Sequence, residues 1–267
     1  MVNARSKLLF GSWALPVLSL WQRDVRRFLR QRSRLVGALA TPMVFWLFIG
    51  SGFGQSFQAP GAGQRDYLSY LFPGTLVLIV LFTAIFSTIS VIEDRREGFL
   101  QGVLVAPVSR SAIVFGKVGG AASLALLQAG LMLLIAPLAG LPITPASVAA
   151  TLAVLTILGV ALGAVGLALA WCLDSTQGFH SIMNLLLVPM WILSGALFPS
   201  QGAATWIQWA VAANPLTYGV AALRRAMLVA QDAATESGPS LSTSLAVTML
   251  FTLAALAVAT IVVQRRN

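Results

Sequence analysis

Side chains able to do acid–base, nucleophilic or metal chemistry are few in this sequence of 267 residues. It contains eight carboxylates, one histidine (His180) and one cysteine (Cys172). Hydrolases, metalloenzymes and lipid transferases need such groups in clusters, and no pair of carboxylates falls inside a long apolar segment. The sequence also lacks the Gly-x4-Gly-Lys-Ser/Thr pattern that cradles nucleotide phosphates. We therefore expect no catalytic site, metal or cofactor on this chain, and any nucleotide energy must come from a partner.

The most informative segment is the loop 93–110. It begins with the mixed charges of Glu93 to Glu97 and continues into a short apolar stretch that Pro107 ends. Four apolar side chains of this stretch share one helical face: Phe99, Leu100, Val103 and Leu104. Two interpretations remain. Either this face packs on the chain's own helices or among headgroups, or it inserts into a groove on a soluble partner and transmits that partner's motion.

The composition indicates that membrane helices position this loop. Only 9% of the residues are charged and 58% are hydrophobic, whereas a soluble domain is about one-quarter charged because its surface must meet water. Charge-free runs of 30, 26, 56, 49 and 28 residues exceed the ~20 residues that cross hydrocarbon. Gly140, Pro142 and Pro145 divide the 56-residue run into two spans. The sequence thus predicts an all-α polytopic membrane protein with six transmembrane helices, at about 35–54, 69–92, 112–139, 147–172, 181–198 and 242–263.

Lysine and arginine are distributed unequally between the two sides of these spans. With the N-terminus inside, 14 of the 17 fall on the cytoplasmic side, and only Arg65, Arg224 and Arg225 fall outside. Basic residues near helix ends are retained in the cytoplasm, so both termini are predicted to be cytoplasmic. The net charge of +9 then reflects topology and contact with anionic membrane lipids, and we expect no nucleic-acid partner.

Residues 1–34 are predicted to form an N-terminal amphipathic helix in the cytoplasmic headgroup layer. One helical face is apolar and carries Leu18, Trp21, Val25, Phe28 and Leu29; the opposite face carries Gln22, Arg23, Arg26, Arg27 and Arg30. The alternative is a merely basic topogenic tail. A signal peptide is disfavoured because no small-x-small cleavage site follows the apolar run.

The positions of the acids bear on ion coupling. All eight map to loops or helix ends: Asp24, Asp66, Glu93, Asp94, Glu97, Asp174, Asp232 and Glu236. Proton coupling needs a titrating group at membrane depth, so proton antiport is disfavoured. Sodium coordination by backbone carbonyls stays open.

Several stretches resemble the permease subunits of ABC exporters of the type 2 class, a family of drug, polysaccharide and lipid exporters. The loop reads Glu-Gly-Phe-Leu at 97–100 and Leu-Val-Ala-Pro-Val-Ser-Arg at 104–110. Two further stretches are similar to the same family, Leu-Ser-Gly-Ala-Leu-Phe-Pro at 193–199 and Asn-Pro-Leu-Thr-Tyr at 214–218. The chain departs from the family pattern at Gln101-Gly102, where a glycine costs about 1 kcal/mol of helix propensity.

The resemblance implies a prokaryotic plasma (inner) membrane complex in which two permease subunits, here a homodimer, meet two ATP-binding subunits that carry ATP and Mg. Those subunits would dock on loop 93–110 and on the N-terminal helix. The coupling residues it implies are Glu97, Gly98, Leu100, Leu104, Pro107 and Arg110. It also implies short helices that re-enter the outer leaflet at 199–218, carrying Trp206, Trp209, Asn214, Pro215 and Tyr218.

A translocation path between paired subunits would run along the first, second and fifth spans. Its candidate lining residues are Phe45, Trp46, Phe82, Phe86, Asn184, Met190 and Trp191. Helix packing or lipid contact is an alternative role for each of these aromatics. The scarcity of polar groups in the spans favours an amphiphilic or apolar cargo, such as a drug, a lipid or a lipid-linked glycan. An ion-driven transporter or channel and a non-transporting membrane assembly factor are the other hypotheses.

Overall fold

The computed structural model describes residues 2–53, 67–199, 202–228 and 238–265, and within these ranges the chain is helical with no strand. Arg65, Asp66, Asp232 and Glu236, which the sequence predicts in loops between the spans, lie outside the described residues. The helices are α1 Val2–Arg30, α2 Arg32–Phe53, α3 Tyr67–Ser87, α4 Ile89–Arg96, α5 Phe99–Val105, α6 Arg110–Leu133, α7 Pro145–Cys172, α8 Thr176–Trp191, α9 Thr205–Ala213, α10 Pro215–Met227 and α11 Leu241–Arg265.

Six stretches are long and apolar enough to cross a membrane, which confirms the predicted all-α fold with six membrane helices. They are Leu35–Phe53, Tyr67–Arg96, Arg110–Leu133, Pro145–Cys172, Thr176–Ala196 and Leu241–Arg265. The largest difference from the predicted bounds is in the third span, whose α-helix ends at Leu133 instead of near residue 139. A 3-10 turn, Ala136–Ala139, follows, because Pro137 lacks an amide hydrogen and Gly140 adopts a left-handed φ of 70°.

The core of the bundle forms around α3. In the apolar segment of the Tyr67–Arg96 stretch 83% of the residues are buried, against 17% in Leu35–Phe53 and 28% in Leu241–Arg265. Helix α7 approaches its neighbours through small residues: a Cβ at Gly166 would lie 3.0 Å from the Cα of Ile85, and Gly159 lies against Ala122. The faces of α2, α8 and α11 that point away from α3 keep large apolar side chains exposed, so they are available to lipid or to another subunit.

Helix α1 lies alongside the first half of α6 instead of standing apart from the bundle. The indole nitrogens of Trp13 and Trp21 donate to the hydroxyls of Ser111 (3.3 Å) and Ser123 (2.9 Å). A Cβ at Gly116 would lie only 2.9 Å from the Leu20 Cβ, so the glycine permits this close approach.

Contact with α6 divides the apolar face predicted for α1. Phe28 is buried together with Leu20, while Leu18 and Leu29 are exposed. The helix therefore has a buried face, a polar face and an exposed apolar stripe between them. We call the end of the bundle that carries α1, α5 and the start of α6 the α5 end, and the end that carries α9 the α9 end.

Candidate functional site

Short-range signals set the limits of α5. Gly98 precedes it with a left-handed φ of 77°, a conformation that glycine adopts without steric cost. Ala106 is extended, as expected of a residue before proline, so the helix stops short of Pro107. The Ser109 hydroxyl then accepts from the Ala112 amide and caps α6, which begins at Arg110. A seven-residue α5 forms in the chain alone, despite Gly102.

Helix α5 has one side packed and one side open. Leu100 is 3% exposed and Leu104 is half-buried against the core, whereas Val105 is 88% exposed and Pro107 is also exposed. The guanidinium of Arg23 lies 3.6 Å from the ring centroid of Phe99. The apolar face that the sequence predicts thus packs largely on its own chain, and the side centred on Val105 is the surface that α5 offers to a partner.

A buried ionic cluster lies directly behind α5. Asp94, in the last turn of α4, is fully buried. Arg23 holds its carboxylate with two hydrogen bonds, one of them 2.8 Å from Nη1 to Oδ2. Arg27 donates from Nη1 to Oδ1 at 3.0 Å, and Lys117 donates from Nζ to Oδ2 at 2.7 Å. Since a buried carboxylate is tolerated only when paired, these three cations are what allows Asp94 to be there.

Lys117 connects this cluster to a second acid. It is 3% exposed although it lies within α6, and its Nζ lies 3.0 Å from Oδ1 of Asp24 and 3.4 Å from Oγ of Ser90. Burial raises the pKa of the Asp24 carboxyl above its ordinary value, and the charge and hydrogen bond of Lys117 act in the opposite direction. The cluster therefore joins α1, α4 and α6 through the buried charges of Asp94 and Lys117 and the nearly buried carboxylate of Asp24.

Two further arginines join α4 to the turn between α7 and α8. Arg95 donates to the Trp171 carbonyl (Nη2, 2.8 Å) and to the Asp174 carboxylate (Nη1, 2.9 Å). Arg96 donates to the Asp174 carbonyl at 2.8 Å. These bonds satisfy carbonyls that the end of α7 leaves free. Helix α4, which directly precedes α5 in the chain, is consequently bonded to α1, α6 and the α7–α8 turn.

Asp24, Asp94 and Lys117 are not among the site residues that the sequence predicts. Lys117 enters the topology prediction only as a cytoplasmic cation, although it falls inside the predicted span 112–139. A signal was present, because an ammonium group within an apolar span must be paired, and acids are few in this chain. The identity of its partners was not readable from the sequence.

A cavity of about 390 Å³ lies between α2, α3 and α8 near the α5 end. Phe82 and Phe86, two of the predicted path residues, line it. The His180 ring also lines it, with its centroid 4.8 Å from that of Phe86. Thr41, Thr83 and Ser87 add hydroxyls to a mostly apolar wall. The first, second and fifth spans thus meet around one space that suits an apolar body with few hydrogen-bonding groups.

The other predicted path residues lie outside this cavity. Trp46 is buried and its indole nitrogen donates to the Leu68 carbonyl at 3.0 Å; Phe45 packs edge-to-face on Trp191, with ring centroids 5.5 Å apart. The Trp191 indole donates to the Gly74 carbonyl at 2.8 Å. Of the remaining two path residues, Asn184 is exposed on α8 and Met190 is half-buried. In this chain Trp46 and Trp191 therefore bind neighbouring helices to α3.

At the α9 end the fifth span finishes in a π-turn, Ile192–Ala196, in which Gly195 has φ 76°. The freed Gly195 carbonyl accepts from the Tyr70 hydroxyl (3.1 Å) and from Arg224 Nη2 (2.8 Å). The Asn214 amide donates to the Met190 carbonyl at 2.6 Å. Side chains of α3 and α10 thus replace the hydrogen bonds that the helix loses where it breaks.

The segment predicted to re-enter the outer leaflet contains helix α9 and the first residues of α10. Trp206 and Trp209 are exposed on α9, Pro215 begins α10, and the Tyr218 hydroxyl donates to the Ala212 carbonyl at 3.0 Å. Helix α10 continues beyond this segment to Met227, because Leu216, Val220 and Leu223 form an apolar face buried against the bundle. Its membrane depth stays a prediction.

Comparison with known proteins identifies similar chains. A family model described as ABC-2 type transporter matches residues 16–228. The putative transport permease ycf38 of Cyanophora paradoxa is 26% identical over 204 residues, which covers 74% of this chain and 70% of the relative. Nodulation protein J of Sinorhizobium fredii is 27% identical over 214 residues, which covers 79% of this chain and 80% of the relative.

Proposed function

Because the chain belongs to the ABC-2 type transporter family and is thus a multi-pass membrane subunit of an ABC transporter, we propose that it exports an amphiphilic or apolar cargo. The cargo leaves the cytoplasm or the inner leaflet, and a separate ATP-binding subunit that carries ATP and Mg supplies the energy. Docking of that subunit on loop 93–110 couples ATP hydrolysis to movement of the spans. In this proposal the chain contributes no ATPase site.

The exposed side of α5 is the observation that carries this proposal. Val105 is 88% exposed, while Leu100, on the same seven-residue helix, is 3% exposed. A partner that pushes on Val105 and Pro107 therefore pushes on a helix whose other side is packed in its own chain. Leu100 acts as the anchor of α5, and Val105 makes the contact with the partner.

The hydrogen bonds of α4 support a route for this force. Asp94 is bonded to α1 and α6, and Arg95 and Arg96 are bonded to the α7–α8 turn. Displacement of α5 and α4 then moves the start of the third span and the turn before the fifth span together. The part of this route that passes through Asp94 and Lys117 uses a buried charge pair, which resists separation because an unpaired charge would be left in the interior.

The cargo would occupy the cavity between α2, α3 and α8. Its aromatic wall, formed in part by Phe82 and Phe86, fits an apolar body, and the hydroxyls of Thr41 and Ser87 fit a small number of polar groups. The exposed faces of α2 and α8 flank the cavity. A second copy of this chain packed there, as a homodimer, would complete a path across the membrane. We assign the α5 end, with both termini, to the cytoplasm of a prokaryotic cell because 14 of 17 basic residues fall on that side.

The test uses the chain co-expressed with the ATPase encoded nearest to its gene and reconstituted in proteoliposomes. We expect Val105→Asp to abolish cargo-stimulated ATP hydrolysis and binding of the ATPase, with the unfolding temperature unchanged. The matched control is Leu138→Asp, which places the same charge on a residue 80% exposed near the other end of the third span, and it should keep coupling.

Transport that continues after Val105→Asp would contradict the docking assignment. Transport in proteoliposomes without any ATPase would instead indicate an ion-driven transporter or channel. A complex whose ATP turnover responds to no cargo would indicate an assembly factor.

A further inference from the structure

An open groove of about 730 Å³ runs along the polar face of α1. Four arginines line it, at positions 23, 26, 27 and 30, together with Gln22 from the same helix and Glu97 from the start of loop 93–110. Arginine side chains present planar forks of donors that match phosphate oxygens better than lysine does. The groove is thus a concentration of phosphate-binding groups on one helix face.

The four arginines are not equivalent. Arg23 and Arg27 are used within the chain, because they pair with Asp94, and Arg27 also pairs with Glu97. Arg26 and Arg30 are exposed, one helical turn apart, and neither has a hydrogen-bond or ion-pair partner in the part of the chain that the structure describes. Two guanidinium groups therefore face the groove with their charge uncompensated.

An exposed apolar stripe borders these two arginines. At 100° per residue, Leu18 and Leu29 fall beside Arg26 on the surface of α1, and both leucines are exposed. Cationic and apolar surfaces side by side match an amphiphile with an anionic head and a hydrocarbon chain. A soluble anion would use only the first surface, and an acidic protein segment would leave the leucines in water.

The groove has a fixed shape and position. Close packing of Leu20 on Gly116 and the pairing of Lys117 with Asp24 hold α1 against α6. The contacts of α1 run from Ser111 to Ser123, so α1 lies beside the first half of the third span. In the predicted topology this is the level at which headgroups meet acyl chains. A site built this way would bind one lipid in a defined pose and not merely attract a diffuse layer.

We propose that this groove binds the phosphate headgroup of one anionic phospholipid, with Arg26 and Arg30 on the phosphate and the acyl chain along Leu18 and Leu29. Glu97 also lines the groove, and because Arg27 pairs with it, its charge is partly neutralised. The proposal does not depend on the cargo or on an ATP-binding subunit. It predicts selectivity for an anionic over a zwitterionic headgroup.

Native mass spectrometry of the purified full chain, exposed to equal amounts of phosphatidylglycerol and phosphatidylcholine, tests this proposal. We expect one retained phosphatidylglycerol per chain, and at least about a tenfold weaker retention in the double variant Arg26→Gln/Arg30→Gln, given ~1 kcal/mol per cation near the surface. Arg26→Lys/Arg30→Lys should lose less lipid retention, since it keeps both positive charges and removes only the bidentate hydrogen bonding of the guanidinium groups. Both arginines are exposed, so these variants should keep the unfolding temperature of the parent.

The matched control is Arg265→Gln, compared with the single variant Arg26→Gln so that each removes one charge. It removes an exposed cation from the last turn of α11, at the α5 end but outside the groove. An equal loss of lipid in this control would show attraction by net charge and would overturn the proposal. Displacement of the lipid by inorganic phosphate would show a soluble-anion site and would also overturn it. So would unchanged phosphatidylglycerol retention in the double variant, with binding of an ATP-binding subunit lost instead.

Discussion

Lys117 and Asp94 form an ion pair of 2.7 Å between α6 and α4, and their side chains are 2% and 0% exposed. Water therefore competes with neither charge, and each depends on the other and on the cluster around them. The pair places the start of the third span in direct contact with the helix that carries α5. It is one link between the helix that precedes the proposed docking surface and the third span.

Replacement of Lys117 by methionine should destabilise the protein by about 3 kcal/mol. Removing one member of a buried ion pair leaves the other uncompensated, at a cost of roughly 3–5 kcal/mol, and Arg23 and Arg27 remain on Asp94 to limit the loss. Chemical unfolding in detergent, followed by tryptophan fluorescence, measures this change. Arg26→Gln, which removes an exposed cation with no hydrogen-bond or ion-pair partner among the described residues, should cost less than about 0.5 kcal/mol, and equal losses would contradict the role given to the cluster.

Replacement of α5 side chains by alanine should lower stability strongly on the packed side of the helix and hardly at all on the exposed side. Leu100→Ala removes a buried side chain and should cost about 2–4 kcal/mol, whereas Val105→Ala, at an exposed position, should change stability by less than about 0.5 kcal/mol. Thermal unfolding of both variants in the same detergent makes the comparison. Similar shifts in the two variants would show that α5 is not anchored by Leu100.

Alanine at Gly116 should loosen α1, and alanine at Gly119 should not. A Cβ at Gly116 would lie 2.9 Å from the Leu20 Cβ and 3.1 Å from the Val17 carbonyl, while at Gly119 the nearest atom, on Trp21, is 3.7 Å away. Crowding of a packed contact costs typically about 1–3 kcal/mol, and glycine to alanine in an open helical position gains up to ~1 kcal/mol. Trypsin cleavage within α1 reports its release, and faster cleavage in both variants would argue against close packing at Gly116.

Gly195→Ala should weaken the π-turn at the end of the fifth span. Gly195 has a left-handed φ of 76° and no atom within 4 Å of an added Cβ, so the cost, about 1–2 kcal/mol, is conformational alone. Gly130→Ala, in an open position of α6, should be neutral or stabilising. The unfolding temperatures of the two variants test this prediction. An unchanged unfolding temperature for Gly195→Ala would mean that the turn adopts another conformation.

The number and limits of the membrane helices were accessible from the sequence because each depends on residues close together in the chain. Charge-free runs set the six spans, and Gly98 and Pro107 set the ends of α5. The end of the third span's α-helix at Leu133, short of residue 139, also has a local cause, since Pro137 and Gly140 follow it in the sequence. Propensity, hydropathy and turn chemistry act over a few residues, so a pattern of a few residues reveals them.

The tertiary structure alone decided which charges meet and which faces are buried. Lys117 pairs with Asp24 across 93 residues and with Asp94 across 23, and no local pattern names a partner at such distances. In the same way, the packing of α1 on the bundle decided that Phe28 is buried and Leu18 is exposed, although both belong to one apolar face in the sequence. Hydropathy predicts that a residue is removed from water. Whether it then contacts lipid, a neighbouring helix or a buried counter-ion is determined only by how the helices pack.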